Sequence, residues 1–331
     1  MRNGECGVRN DEWAARPANP PRSVFGNYRP KDEGTVAADT KTRAEGEDNR
    51  LFGSAGAAVS LQAAIDAAMA RSFLYRFLAQ AYEDPTKEGW CRMVTTDCQQ
   101  VLEPAVRTLV ATAPALAETA RAFQSQLKPE TFESFLASYL TVFGHAARGR
   151  CPLNEIEYGE LKADPLFQPH RLADLAAFYR AFGLEIAGEA GERHDHICLE
   201  LEFMCVLAAK EAYALEHQLD PEDLSISRDA QEKFLREHLG RWTPAFVRRL
   251  ARMAGDTPLR ALADLTSAVI EAECARFGIT PGSEDLLLRP VDSAAESMCH
   301  SCGMNQMPPG ALASTQPCPP TRNPNAEAKE I

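Results

Sequence analysis

The sequence predicts an all-α protein built around a single helical domain. Apolar residues recur at the three- and four-residue spacing of helices through most of residues 55–285. The sequence gives no support for strands. It has no sustained alternation of apolar and polar residues and no Asn-Gly or Asp-Gly turn between β-branched runs. The chain has 331 residues, 45% of them hydrophobic, so about nine helices can bury a sizeable core.

The first predicted helix shows the clearest periodicity. Ser60 can cap it and Pro85 ends it. Between them an apolar stripe runs through Leu61, Ile65, Met69 and Phe73. The same spacing predicts helices over 98–112, 115–127, 130–146, 170–184, 195–218, 228–239, 243–254 and 257–277. Pro104 predicts a break or a kink inside the first of these.

Both ends of the chain have the composition of disordered extensions. Residues 1–54 are rich in Pro, Gly, Asn, Arg, Asp and Glu and poor in large aliphatic residues. Residues 286–331 form a second extension, rich in Pro and containing several cysteines. The predicted organisation is therefore an extension, a helical domain over 55–285 and a flexible tail.

The charge and the apolar runs restrict the classes of partner. A formal net charge of −12 disfavours nucleic acid, whose phosphates need a basic surface, and fits a cationic peptide better. An acidic balance is also common in proteins that need it only for solubility. We expect no signal peptide and no membrane insertion, because the N-terminus has no apolar core and no run reaches about 18–20 residues. The expected location is the reducing cytoplasm.

The stretch GERHDHICLELEFM at 191–204 is the first candidate site. Asp195 precedes good helix formers and is predicted to cap the next helix. His196 and Glu200 lie one turn apart, and Phe203 continues that line. This pattern indicates either a polar spot at the rim of an apolar binding surface or an ordinary solvated helix face. His194, His196 and Glu200 could also bind a metal, although the spacing is not typical of a metal site.

The loop sequence VFGHAARGRCPLNEIEYGE at 142–160 is the second candidate. It connects two predicted helices and contains Glu155, Glu157 and Tyr158 among other polar residues. Gly144, Gly149 and Pro152 predict sharp turns in it. Loops on a rigid helical scaffold often bind ligands, and a charged connection without function is the alternative.

The tail contains a third candidate, and several familiar motifs do not occur. Cys299 and Cys302, with His300 between them and Cys318 beyond, could form a zinc site or remain reduced thiols. Gly-x-Gly, the phosphate loop Gly-Lys-Ser/Thr and Gly-x-Ser-x-Gly are absent from the sequence. These absences disfavour a dinucleotide site, a nucleotide phosphate loop and a serine-hydrolase site, and we predict no cofactor.

Four segments together resemble one known family. They are FLYRFLAQAYEDP at 73–85, YLTVFGHAARGRCPLNEIEYGE at 139–160, residues 172–207 and FLREHLGRWTPAFVRRL at 234–250. Their order and motifs are similar to those of the TorD/DmsD/NarJ-type cytoplasmic chaperones, which assist maturation of molybdenum-cofactor oxidoreductases. His194 stands where the family usually has proline.

The resemblance implies an all-helical fold and a binding function. Asp195 and His196 would belong to a surface that recognises the twin-arginine leader of a catalytic subunit, with Glu155 and Tyr158 in a neighbouring loop. Charge and apolarity suggest that Glu200 joins the acidic end and Phe203 the apolar wall of such a surface. The expected oligomeric state is a monomer or a homodimer. The resemblance also implies that the chain is not an enzyme. The alternative is a helical metal-binding protein or metalloenzyme using His194/His196/Glu200 or Cys299/Cys302.

Overall fold

The computed structural model describes residues 51–110, 113–144, 149–159, 167–186 and 192–289. These residues contain helices and no β-strand, which confirms the all-α class. The ten α-helices of this part are α1 Leu51–Tyr82, α2 Lys87–Val94, α3 Thr96–Leu109, α4 Ala115–Gln126, α5 Phe132–Val142, α6 Phe167–Ala181, α7 Ile197–Glu216, α8 Pro221–Phe234, α9 Gly240–Ala254 and α10 Pro258–Arg276. Short 3₁₀ turns lie at Pro129–Thr131 and Glu155–Glu157, and a π-turn at Leu235–Leu239.

Helix α7 is the central element of the fold. It packs most extensively against α1 and also contacts α8, while α10 packs against α9 and α4. Its apolar residues, such as Leu201 and Phe203, are fully buried, and so are three of its glutamates. The N-terminal part of α7, Ile197–Met204, is buried on every side, so Glu200 and Glu202 need internal partners there, as does the buried Glu211 farther along the helix.

A threonine side chain caps helix α2, which the apolar periodicity of the sequence did not predict. Thr86 accepts a hydrogen bond from the Gly89 amide at 3.0 Å and thereby starts α2. Thr95 caps α3 in the same way by accepting from the Cys98 amide. The sequence predicted a break or a kink at Pro104, and of these the break does not occur, since α3 continues past this residue to Leu109.

A buried ion network fixes three helices, α1, α8 and α10, around the C-terminal half of α7. The Glu211 carboxylate of α7 accepts hydrogen bonds from Arg71 of α1 at 3.0 Å and from Arg276 of α10 at 2.8 Å. Arg228 and Gln231 of α8 also donate to it, at 2.8 and 3.0 Å. The Glu211 side chain is only 1% exposed, so the arginines replace the water that its charge would otherwise require.

The π-turn joins α8 and α9 into one uninterrupted helical run. The sequence predicted two helices, 228–239 and 243–254, with a gap between them. Gly240 closes the turn, and a Cβ atom there would lie 2.5 Å from the Leu235 carbonyl oxygen. Glycine is thus the residue that allows the backbone to pass so closely.

The segment after α10 folds back onto the domain. The Gly282 amide donates to the Gly240 carbonyl at 3.0 Å, and Leu288 forms a bridge with Tyr158. Helical structure begins at Leu51, so residues 51–54 and 286–289, which the sequence assigned to extensions, are described together with the domain. The rest of both predicted extensions, 1–50 and 290–331, lies outside the described residues. No described helix is long and apolar enough to cross a membrane.

Candidate functional site

The structure brings the first two candidate sites together. The Glu155 amide donates to the Asp195 carbonyl at 2.9 Å, and the Ile197 amide donates to the Leu153 carbonyl at the same distance. Asn154 and His196 form an isolated antiparallel bridge between these hydrogen bonds. We call residues 151–159 and 192–197 the paired loops. Segments that are about 40 residues apart in sequence thus form one unit at the start of α7.

Asp195 has a different role from the predicted helix cap. Its carboxylate accepts two hydrogen bonds from the Arg193 guanidinium, at 2.9 and 2.7 Å. It also accepts from the Ile156 amide at 3.1 Å and from the Asn154 side chain at 3.2 Å. The prediction of the cap was therefore wrong by one residue, because Asp195 faces the other loop and His196 caps α7.

His196 is a buried neutral cap. Its Nδ1 accepts from the Cys198 amide at 3.3 Å, so the ring proton lies on Nε2, 3.6 Å from the Glu192 carboxylate. Burial lowers the pKa of His196, although Glu192 and Asp195 oppose this effect. The predicted pairing of His196 with Glu200 at a surface rim is not what the structure shows, since both side chains are buried.

Glu155 lies at the centre of a second cluster of charges. Its Oε1 accepts from Arg171 at 2.5 Å and from Arg241 at 2.9 Å, and its Oε2 lies 3.0 Å from Nδ1 of His238. Burial alone would raise the pKa of this carboxyl, but His238 and the two guanidinium groups outweigh burial and hold the pKa well below its usual range. Glu155 is thus an ionised anchor inside the protein.

Glu200 has the opposite state of charge. Its Oε2 accepts from the Trp242 indole at 2.9 Å, while Oε1 is buried without a hydrogen-bond partner. Burial, reinforced by the negative charges of Glu155 and Asp195, raises the pKa of Glu200 far above its usual value. Burial at this position thus favours the protonated, neutral form of the Glu200 carboxyl.

The two predicted aromatic residues belong to the core beside the paired loops. Tyr158 packs on Trp242 with ring centroids 5.2 Å apart and donates its hydroxyl to the Pro152 carbonyl at 2.8 Å. Phe203 packs against Phe234 at 4.7 Å and Tyr179 at 5.1 Å. Both predicted residues are buried. Tyr158 anchors the first of the paired loops in the core, whereas Phe203 reaches the second loop only through Tyr179, whose hydroxyl donates to the His194 carbonyl at 2.8 Å.

The solvent-facing part of this region consists of residues that the predictions omitted. The side chains of Glu192 and Arg193 are 43% and 45% exposed. Arg193 also reaches Glu157, with Nη1 3.4 Å from a carboxylate oxygen. No periodic signal identifies Arg193, because its importance depends on contacts across the two loops.

The metal hypotheses have different outcomes. Among the described residues, His194, His196 and Glu200 do not form a cluster with convergent ligand atoms. Such a cluster is formed by Asp174, Glu237 and His238, which the sequence analysis did not propose. Cys299, Cys302 and Cys318 lie outside the described residues.

Comparison with known proteins gives a consistent picture. The family model described as nitrate reductase delta subunit matches residues 109–248. The chain is 30% identical to the perchlorate reductase assembly chaperone protein of Dechloromonas aromatica over 218 residues, which cover 63% of this chain and 90% of that protein. It is 27% identical to the selenate reductase assembly chaperone protein of Thauera selenatis over 66% of this chain and 95% of that protein.

A shorter match connects the chain to another member of the same group. It is 31% identical over 93 residues to the chaperone protein TorD of Vibrio cholerae, covering 28% of this chain and 40% of TorD. Together with the helical fold and the four segments identified in the sequence, these matches show that the chain belongs to the TorD/DmsD/NarJ family of chaperones.

Proposed function

We propose that the chain is an assembly chaperone for the catalytic subunit of a molybdenum-cofactor oxidoreductase. It binds the apo subunit and its basic leader in the cytoplasm, assists cofactor insertion and delays export, without catalysing a reaction itself. The proposal is supported by similarity along 90% and 95% of the perchlorate and selenate reductase chaperones. The net charge of −12 favours association with a basic peptide.

The observation that carries the leader site is the clamp between Arg193 and Asp195. Two parallel hydrogen bonds join them, which is the geometry by which carboxylates recognise arginine specifically. The Asp195 carboxylate is buried, whereas the Arg193 side chain is 45% exposed and belongs to a loop. Arg193 therefore occupies the position that an arginine from a leader would need.

We propose that a leader arginine replaces Arg193 on Asp195 and Glu157. Displacement exchanges one guanidinium for another, so the buried carboxylate is never left without a positive partner. Asp195 is then the direct acceptor, His196 holds the start of α7, and Glu155, Glu200, Tyr158 and Phe203 keep the paired loops in place. An apolar segment of the leader would contact partly exposed residues beside the loops, such as Leu153.

The test measures binding of a synthetic leader by titration calorimetry. The half-exposed clamp contributes about 1.5 kcal/mol, so Arg193→Ala should bind the leader about tenfold more tightly once this competitor is gone. Asp195→Asn should bind it more weakly. Arg228→Ala is the matched control, because Arg228 is 43% exposed and pairs with Glu211 away from the paired loops.

Two outcomes would contradict this scheme. Weaker leader binding in Arg193→Ala would mean that Arg193 supports the leader instead of competing with it. Equal affinity for leaders with Arg-Arg and Ala-Ala would show that no carboxylate recognises the basic pair. Melting curves of each variant must confirm a folded domain, since Asp195 connects the two loops.

A further inference from the structure

A cluster of ligand atoms lies outside the proposed leader site, where α6 approaches the π-turn. His238 of the π-turn is fully buried, while the side chains of Asp174 on α6 and Glu237 are 48% and 40% exposed. One ligand atom from each of the three residues lies within 4.8 Å of the others. His170 and Arg171 line the same opening beside Asp174.

The hydrogen bonds of His238 leave one ring nitrogen available. Nδ1 lies 3.0 Å from the Glu155 carboxylate and so carries the proton in a neutral ring. Nε2 is buried and makes no hydrogen bond, although an Asp174 oxygen lies 3.3 Å away. A carboxylate that fixes the proton on one nitrogen and directs the other nitrogen outward is typical of metal-binding histidines.

Two carboxylates and one ring nitrogen converge at this point. Glu155 accepts from Arg171 and Arg241 in addition to its contact with His238, so its charge has other positive partners. With the ring proton on Nδ1, Nε2 presents a lone pair towards Asp174 and Glu237, and the Glu237 carboxylate also lies 3.9 Å from the Lys233 ammonium. Ligand atoms about 3.4 Å apart are what a tetrahedral ion with bonds of about 2.1 Å requires, close to the 3.3 Å between Nε2 and Asp174.

We infer that Asp174, Glu237 and Nε2 of His238 bind a divalent first-row transition-metal ion such as Zn²⁺. One imidazole and two carboxylates suit ions of this class. Water can supply the fourth ligand, and His170, one turn before Asp174 on α6, lines the same opening. The ion would join α6 to the π-turn and would also orient the His238–Glu155 pair under the paired loops.

The test uses the full chain in a background where Cys299, Cys302 and Cys318 are serine, so that thiols do not compete for Zn²⁺. Calorimetry of metal-depleted protein with Zn²⁺ should show one ion per chain, and Zn²⁺ should raise the melting temperature. Asp174→Asn and Glu237→Gln should each weaken binding about tenfold or more. Both side chains are partly exposed, so these variants keep the fold. Asp264→Asn, 43% exposed in an ion pair with Arg260, is the control and should bind like the parent protein.

The competing explanation is a charged His238 held between Glu155 and Asp174 by ion pairs alone. It predicts no heat of Zn²⁺ binding and no change in melting temperature, and this result would overturn the proposal. Equal affinity in the parent protein, Asp174→Asn and Glu237→Gln would overturn it as well, because Zn²⁺ would then bind elsewhere.

Discussion

Replacing Glu211 by Gln tests the ion network that fixes the central helix. The substitution keeps the shape of the side chain and removes its charge. Arg71, which is itself buried, then loses its main counter-charge, and so does Arg276. Because this network joins α1, α7, α8 and α10, we expect Glu211→Gln to destabilise the whole domain.

The size of the effect follows from the pKa of Glu211. Burial would raise it, but Arg71 and Arg276 outweigh burial and lower the pKa from 4.5 to about 2. A difference of roughly 2.5 pKa units corresponds to about 3 kcal/mol of folding free energy at neutral pH. Loss of one partner from a buried ion pair typically costs about 3–5 kcal/mol, which agrees in magnitude.

The pH dependence has a definite sign. Because the pKa is lowered in the folded state, this contribution is fully present above about pH 4.5 and is lost as the pH falls towards 2. Urea unfolding at pH 7 should give a free energy of unfolding about 3 kcal/mol lower for Glu211→Gln than for the parent protein. The difference should shrink as both proteins are studied at lower pH.

The control is Glu103→Gln, which breaks an exposed pair with Arg107 on α3. Such pairs contribute about 0.3–0.5 kcal/mol, so this variant should be almost as stable as the parent protein. If Glu211→Gln cost no more than Glu103→Gln at pH 7, the network would not stabilise the domain and the reasoning would be refuted.

Three further predictions concern other parts of the chain. Glu200→Gln should be at least as stable as the parent protein at pH 8, because folding then no longer favours protonation of this residue. A free energy of unfolding in urea more than about 2 kcal/mol lower than that of the parent would contradict this interpretation. His196→Asn keeps a good helix cap and should reduce the loss of stability between pH 7.5 and 5.5. The reason is that the folded protein favours neutral His196, whereas the unfolded chain takes up a proton at this residue below about pH 6.5. An unchanged pH dependence of the unfolding free energy would exclude this role. Deletion of residues 1–50 should leave the melting temperature nearly unchanged, and a large decrease would show that this segment packs on the domain.

Helical periodicity predicted the central helix well and missed the shortest one. α7 was expected over 195–218 and runs over Ile197–Glu216. α2 has eight residues, too few for a convincing apolar stripe, and depends on the Thr86 cap and on buried Trp90. Short helices of this kind are stabilised by tertiary packing, which a local pattern does not reveal.

The structure joins the two candidate segments that the sequence singled out, but the environment of their side chains was not predictable. Spacing shows that His196 and Glu200 share one side of a helix, yet it does not show that α7 is covered on that side. The partners of Glu155 are 16, 83 and 86 residues away, in Arg171, His238 and Arg241. Contacts over such separations depend on the assembled fold, so sequence spacing could not show that the carboxylates are buried and already paired.

The last described residues, Leu287–Arg289, are hydrogen-bonded to the first of the paired loops. The Arg289 amide donates to the Glu157 carbonyl at 3.0 Å, and the Gly159 amide donates to the Leu287 carbonyl at 3.1 Å. If a bound client moves residues 151–159, it must either break these two hydrogen bonds or move Leu287–Arg289 together with the loop. A leader bound as proposed at these loops would therefore also act on Leu287–Arg289, the last residues that the structure describes.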